Sequence, residues 1–121
     1  MEKYITPNNC RIQGVSDTER IENAIKYARE NGIKSISIPH LTYDKREVWH
    51  LERSLFVDRD TTIFLVSCQM ETHGGDFFIK GTRERAKIVK LGFSQINEIK
   101  EKQNEIRCNN GLFQEGRKRR N

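Results

Sequence analysis

The apolar positions of this chain change period near residue 32. Between Ser16 and Asn31, the residues Ile21, Ala24, Ile25 and Ala28 recur at helical spacing, while Glu22, Lys26, Arg29 and Glu30 take the remaining positions. That pattern predicts an amphipathic helix with one face for burial. Ser16 and Glu19 form a capping box at its start, and Asp17 and Glu19 set negative charge against the positive end of the helix dipole. Asn31-Gly32 supplies the left-handed stop, because glycine has no Cβ to clash at positive φ. The next residues, Ser35, Ile36, Ser37 and Ile38, alternate polar and apolar, the period of a half-buried strand, and Pro39 ends it.

Beyond Pro39 the pattern stays at strand length. Val48 to Val57 carries Val48, Leu51, Leu55 and Val57 with Trp49 and Phe56 interleaved, and Thr62 to Val66 is nearly continuous apolar, as a strand covered on both faces requires. Asp58-Arg59-Asp60 between them has turn composition. Phe77 to Ile79 and Ile88 to Leu91 are two more short runs, separated by the charged stretch 80–87. Short strands following a single helix favour a β-rich architecture over a doubly wound sheet, which needs a helix between successive strands. Further on, Ser94 caps a second expected helix running to about Arg107, with Ile96, Ile99 and Ile106 on a rough face and an i, i+4 pair from Glu98 to Lys102. The expected organisation is residues 1–93 as one unit and 94–121 as a helix followed by a basic tail.

The order of capped helix, glycine, alternating strand, Pro39 and then Thr42-Tyr43 resembles the N-terminal entry of right-handed parallel β-helix proteins of the pectate lyase-like superfamily. The segment SLFVDRDTTIFLVSCQME, residues 54–71, resembles the next coil of such proteins, with an acidic turn between two apolar strands. The resemblance covers roughly residues 5–71 and is nearest to glycosyl hydrolases of the polygalacturonase type. It implies a fold that is mainly β with helices: an N-terminal capping helix followed by the first coils of a single-stranded, pectin lyase-like β-helix. At about 20 to 30 residues per coil, the stretch between the capping helix and residue 93 holds only about three coils. The resemblance thus implies the N-terminal portion of a polysaccharide-degrading enzyme. The family's inverting chemistry uses an Asn-Thr-Asp segment, an Asp-Asp pair, Gly-His-Gly and Arg-Ile-Lys; none of these occurs here, and His73-Gly74-Gly75 is a different motif. No catalytic residue is therefore carried over, no cofactor is implied, and the chain alone is expected to be inactive.

Charge divides the chain. Residues 1–75 hold ten Lys and Arg against eleven Asp and Glu, whereas residues 76–121 hold twelve against six, ending in the cluster Arg117, Lys118, Arg119 and Arg120. A basic nucleic-acid binder is the class this suggests, but only Phe93 and Phe113 lie near the charge and no nucleic-acid motif is present, so a solvated tail is favoured. No apolar run approaches 20 residues and no leader pattern opens the chain, so a cytoplasmic protein without a membrane span is expected. Cys10, Cys68 and Cys108 are odd in number and far apart, which gives neither a disulfide framework nor a CxxC metal motif; Cys68 is expected in the core and the other two as loop thiols.

The candidate chemistry has plain alternatives. His40, His50 and His73 could join the cysteines around zinc, although their spacings match no finger or metalloprotease helix. Asp44, Glu47 and Glu52 could supply a glycosidase acid and base, against the simpler reading of solvated charges. Trp49 and Tyr43 could stack on a sugar ring, with packing in the core or under the cap as the favoured role. Gly74-Gly75 lacks the strand before and helix after that a phosphate loop needs, and reads as a turn. The partners left open are a polysaccharide or oligosaccharide bound by a non-catalytic module, and a second copy meeting an uncovered coil end.

Overall fold

The computed structural model describes residues 2–95 and 103–106. Among them are one α-helix and nine short strands. The helix, α1, spans Asp17–Glu30. The strands are β1 (Glu2–Ile5), β2 (Ser35–Ile38), β3 (Val48–Leu51), β4 (Leu55–Val57), β5 (Thr62–Val66), β6 (Gln69–Thr72), β7 (Phe77–Ile79), β8 (Lys87–Leu91) and β9 (Gln103–Glu105).

Local sequence explains α1 at both ends. Ser16 Oγ accepts from the Glu19 amide at 3.1 Å, and Glu19 reaches back to the amide of Val15, one residue earlier than an ideal capping box. At the other end, Gly32 sits at φ +68°, which lets the Ile33 amide turn back onto the Ala28 carbonyl at 2.8 Å. Ile21, Ala24, Ile25 and Ala28, the face anticipated from spacing, are buried.

The strands form three small parallel sheets. One has the order β8-β5-β2-β1-β9, and the other two are the pairs β3-β6 and β4-β7. From β2 onward the chain visits the sheets in a fixed order: β2, β3 and β4 enter the first, second and third, then β5, β6 and β7 do so again, and β8 returns to the first. Every pairing between these strands is parallel, and the one antiparallel contact among the described residues is the isolated bridge from Phe78 to Arg85. Like residues consequently fall in register. Ile5, Ile36, Ile63 and Ile88 stand in register on β1, β2, β5 and β8 of the first sheet, and the first three are fully buried. Trp49, Leu51, Leu55, Val57 and Phe77 close the same core from the other two sheets, with the apolar face of α1 packed against it. Each buried aliphatic side chain contributes about 1.5–3 kcal/mol of transfer free energy.

Several sequence expectations need correction. Val48 to Val57 is two strands, because Glu52-Arg53-Ser54 turns the chain from one sheet to another. Ser35 and Ser37 are buried along with Ile36 and Ile38, since β2 lies inside its sheet between β1 and β5. The helix from Ser94 to about Arg107 is not what the described residues form. Phe93–Gln95 is a single 3-10 turn, held where Gln95 Oε1 accepts from the Gly92 amide, and Gln103–Glu105 is strand β9. The free edge of β1 offers these residues a parallel ladder, which overrides a weak helical propensity. The rest of that segment and the basic cluster 117–120 lie outside the described residues. Cys10 is disulfide-bonded, not a loop thiol, while Cys68 is free and half-buried. No helix of the described residues is long and apolar enough to cross a membrane.

Candidate functional site

Strand alternation sets up the first group of exposed side chains. In β3, Trp49 and Leu51 point inward and are fully buried, so His50 and, just past the strand, Glu52 point outward. The β6 register places Glu71 directly beside His50, and His73 follows two residues later on the same face. A motif His-x-Glu on one strand thus lies beside Glu-x-His on the next. The His50 Nδ1 and His73 Nε2 atoms are 3.1 Å apart, with the two rings stacked at a centroid distance of 5.3 Å. Glu71 Oε1 lies 3.4 Å from His50 Nδ1 and 3.8 Å from His73 Nε2, and Glu52 Oε2 lies 3.7 Å from His73 Nε2.

The backbone under this group is held by the first turn of α1. Asp17 Oδ2 accepts from the His50 amide at 2.9 Å. The Thr18 hydroxyl donates to the His50 carbonyl at 3.0 Å and accepts from the Glu52 amide at 2.8 Å. On the neighbouring strand, the His73 amide donates to the Leu51 carbonyl at 2.9 Å. Asp17 and Thr18 are both buried, so these bonds compete little with water.

The second feature is a groove of about 610 Å³ between α1 and β4. Ile25, Leu55 and Phe56 give it an apolar lining, of which Phe56 is the exposed part. Leu55 and Val57 face the core on either side, which leaves the Phe56 ring outward and 48% exposed. It stacks on Phe78 of the adjacent strand with 6.2 Å between ring centres. Arg29 fixes the strand by donating to the Phe56 carbonyl and to Asp58, each at 3.1 Å. Glu22, Asn23, Lys26 and Lys80 bring polar and charged groups to the rim.

No protein-family model, no curated protein and no solved structure matches this chain. Chemistry has to be read from the side chains themselves.

Of the three histidines considered for a metal, the structure brings His50 and His73 together. His40 stands elsewhere, with Nδ1 2.7 Å from the Ser67 carbonyl. Among the described residues the donor group is His50, Glu52 and His73, without Cys10 or Cys68, and its ligand atoms all lie within 4.8 Å of one another; Cys108 lies outside the described residues. Among the carboxylates, Asp44 is tied to Arg46 and to the Thr42 hydroxyl, and these bonds lower its pKa to about 2. A glycosidase acid must hold its proton near neutral pH, so Asp44 is unsuited to that role. Glu47 is exposed, and Glu52 belongs to the histidine group.

The aromatic candidates separate as sharply. Trp49 is entirely buried and its indole N–H donates to the Pro39 carbonyl at 2.8 Å, which confirms a packing role. Tyr43 is 57% exposed and carries the Arg20 guanidinium 3.8 Å from its ring centre. Arg20 itself is buried and satisfied by the carbonyls of Pro7, Ile12 and Gly14. Gly74 takes φ +84° in a bend, as the turn reading required. A Cβ on Gly75 would come within 2.5 Å of the Arg53 carbonyl oxygen. Sequence reasoning passed over Glu71, Phe56 and Phe78 as site residues. The signal for Glu71 was its place two residues before His73, mirroring His50 and Glu52.

Proposed function

We propose that this chain is the helix-capped entry of a parallel β-helix protein of the pectate lyase-like kind, and that it binds a polysaccharide in the groove lined by Phe56. The observation that carries the reading is the register. Three sheets each gain their next strand in parallel after roughly 20 to 30 residues, the spacing of a solenoid repeat, with isoleucines stacked in line. A sheet closed by sandwich or hairpin connections would carry antiparallel pairs in its ladders instead.

The groove supports the ligand class. An exposed phenylalanine face accepts the C–H face of a sugar ring, and rim amides and charges serve its hydroxyls. The lining sets Lys26, Arg29 and Lys80 against Glu22 and Glu30, a small positive excess that favours an acidic polysaccharide such as polygalacturonate. The chemistry proposed is binding, since the sequence carries none of the aspartate segments of the related hydrolases.

Native electrophoresis through gels containing polygalacturonate, with a neutral glucan as comparison, tests this directly. The expected outcome is selective retardation in the acidic gel, with Phe56→Ala weakening binding about tenfold, the equivalent of one stacked ring at roughly 1.4 kcal/mol. Wild-type chain running unretarded in both gels, or the variant retarded as strongly as wild type, would overturn the proposal.

A further inference from the structure

We infer that His50, His73 and Glu52, with Glu71 beside them, form a binding site for a borderline divalent cation of the zinc type. This goes beyond the polysaccharide reading and does not depend on it. A chain that took up zinc and ignored glycans would keep this inference and lose the other.

Geometry is the first support. A tetrahedral zinc ion with ligands at about 2.0–2.1 Å holds any two ligand atoms about 3.3–3.4 Å apart. The His50 and His73 nitrogens are 3.1 Å apart, and Glu71 Oε1 is 3.4 Å from the first of them. Glu52 Oε2, at 3.7 Å from His73 Nε2, needs only a small side-chain rotation to reach the same centre. The three ligand atoms of His50, Glu52 and His73 are mutually within 4.8 Å. Glu71 or a water can take the fourth position on this solvent-facing side.

The donor set is the second support. Two imidazoles with one or two carboxylates suit zinc and its neighbours in the first transition row, whereas calcium and magnesium prefer all-oxygen shells. Two neutral imidazole nitrogens facing each other without a cation can share one proton in a hydrogen bond, and a metal ion replaces that proton with two coordinate bonds.

The third support is preorganisation. His50 lies in β3 with Glu52 just past its end, and Glu71 lies in the parallel neighbour β6 with His73 just past its end, the register pairing His50 with Glu71. Asp17 and Thr18 hold the amides of His50 and Glu52 from the buried side, and the Leu51 carbonyl holds that of His73. Only side-chain freedom therefore remains to be lost on binding. A cation here would bridge two successive strands of one sheet through their outer faces.

The experiment is a zinc titration of the full chain against a chromophoric chelator, together with a cobalt titration read by its visible absorption, which is intense for tetrahedral coordination. One equivalent should bind, and an excess of calcium or magnesium should leave it bound. His50→Ala, His73→Ala and Glu52→Gln should each weaken zinc affinity about tenfold or more. His40→Ala and Cys68→Ser should titrate as wild type. All four ligand side chains are exposed or half-exposed, so the variants should keep the circular dichroism spectrum of the parent. Absence of zinc uptake, displacement by calcium, wild-type affinity in His50→Ala or His73→Ala, or equal loss in His40→Ala or Cys68→Ser would each overturn the site.

Discussion

Cys68 shows how much one residue's surroundings set its chemistry. Burial pushes its thiol up to about 11 from an ordinary value of 9.0, against smaller opposing effects from nearby backbone amides and Lys90. The folded state thus favours the neutral thiol. Its contribution to stability is complete below the ordinary thiol value and is lost as pH climbs from about 9 to about 11. Urea midpoints should accordingly fall more steeply over that interval in wild type than in Cys68→Ala, and alkylation of Cys68 at pH 8, mapped by mass spectrometry, should be slower folded than unfolded. Equal pH profiles would show that burial does not govern this thiol. The apolar strand beside Cys68 suggested a core cysteine, and the thiol is instead half-buried, packed against the edge of the core. The outward aromatic was there in the parity of the positions: residues 49, 51, 55 and 57 all face the core across the Glu52-Arg53-Ser54 turn, so Trp49 goes in and Phe56, seven positions on, goes out into solvent.

At the scale of elements, the N-terminal turn of α1 is both a cap and a clamp. Thr18 satisfies two backbone groups of the strand that carries His50 and Glu52, and it is almost fully buried. Thr18→Val keeps the shape and removes the hydroxyl, leaving the Glu52 amide without its partner. The expected loss is about 1–3 kcal/mol, read as a lower urea midpoint, whereas Thr18→Ser should retain most of the stability. Equal midpoints for Val and wild type would remove the clamp from the account. The helix and its stop were readable from spacing and caps because those signals are local. Strand β6 was harder to see: Gln69, Glu71 and Thr72 are exposed, so no hydrophobic period marks it. What makes it a strand is the ladder offered by β3. The same dependence on a partner edge explains β9, where local sequence favoured a helix. The histidine–glutamate group shares this origin, since its two halves meet only when residues 50 and 71 come into register.

At the scale of the molecule, the parallel β-helix reading has a consequence at the β5–β8 side of the core. Leu65, Met70, Phe77 and Ile88 line a cavity of about 360 Å³ there. On that reading the cavity marks a coil end that a second copy can cover, and sedimentation velocity should show association that grows with concentration. Met70→Lys, at the rim, should reduce it; a monomer at all concentrations would count against an open coil end.

The opposite end of the first sheet is finished differently. Strand β1 begins at Glu2, yet its outer edge is paired by β9, with Glu2 beside Gln103 and Tyr4 beside Glu105, and the Asn9 side chain donating to the Ile106 carbonyl beyond. In chain order β9 follows β1 by about 100 residues, so this edge is among the last parts of the sheet to be completed. While roughly 100 residues are being joined, at about 5–20 per second, the β1 edge presents unpaired backbone donors and acceptors of the kind that recruit foreign strands.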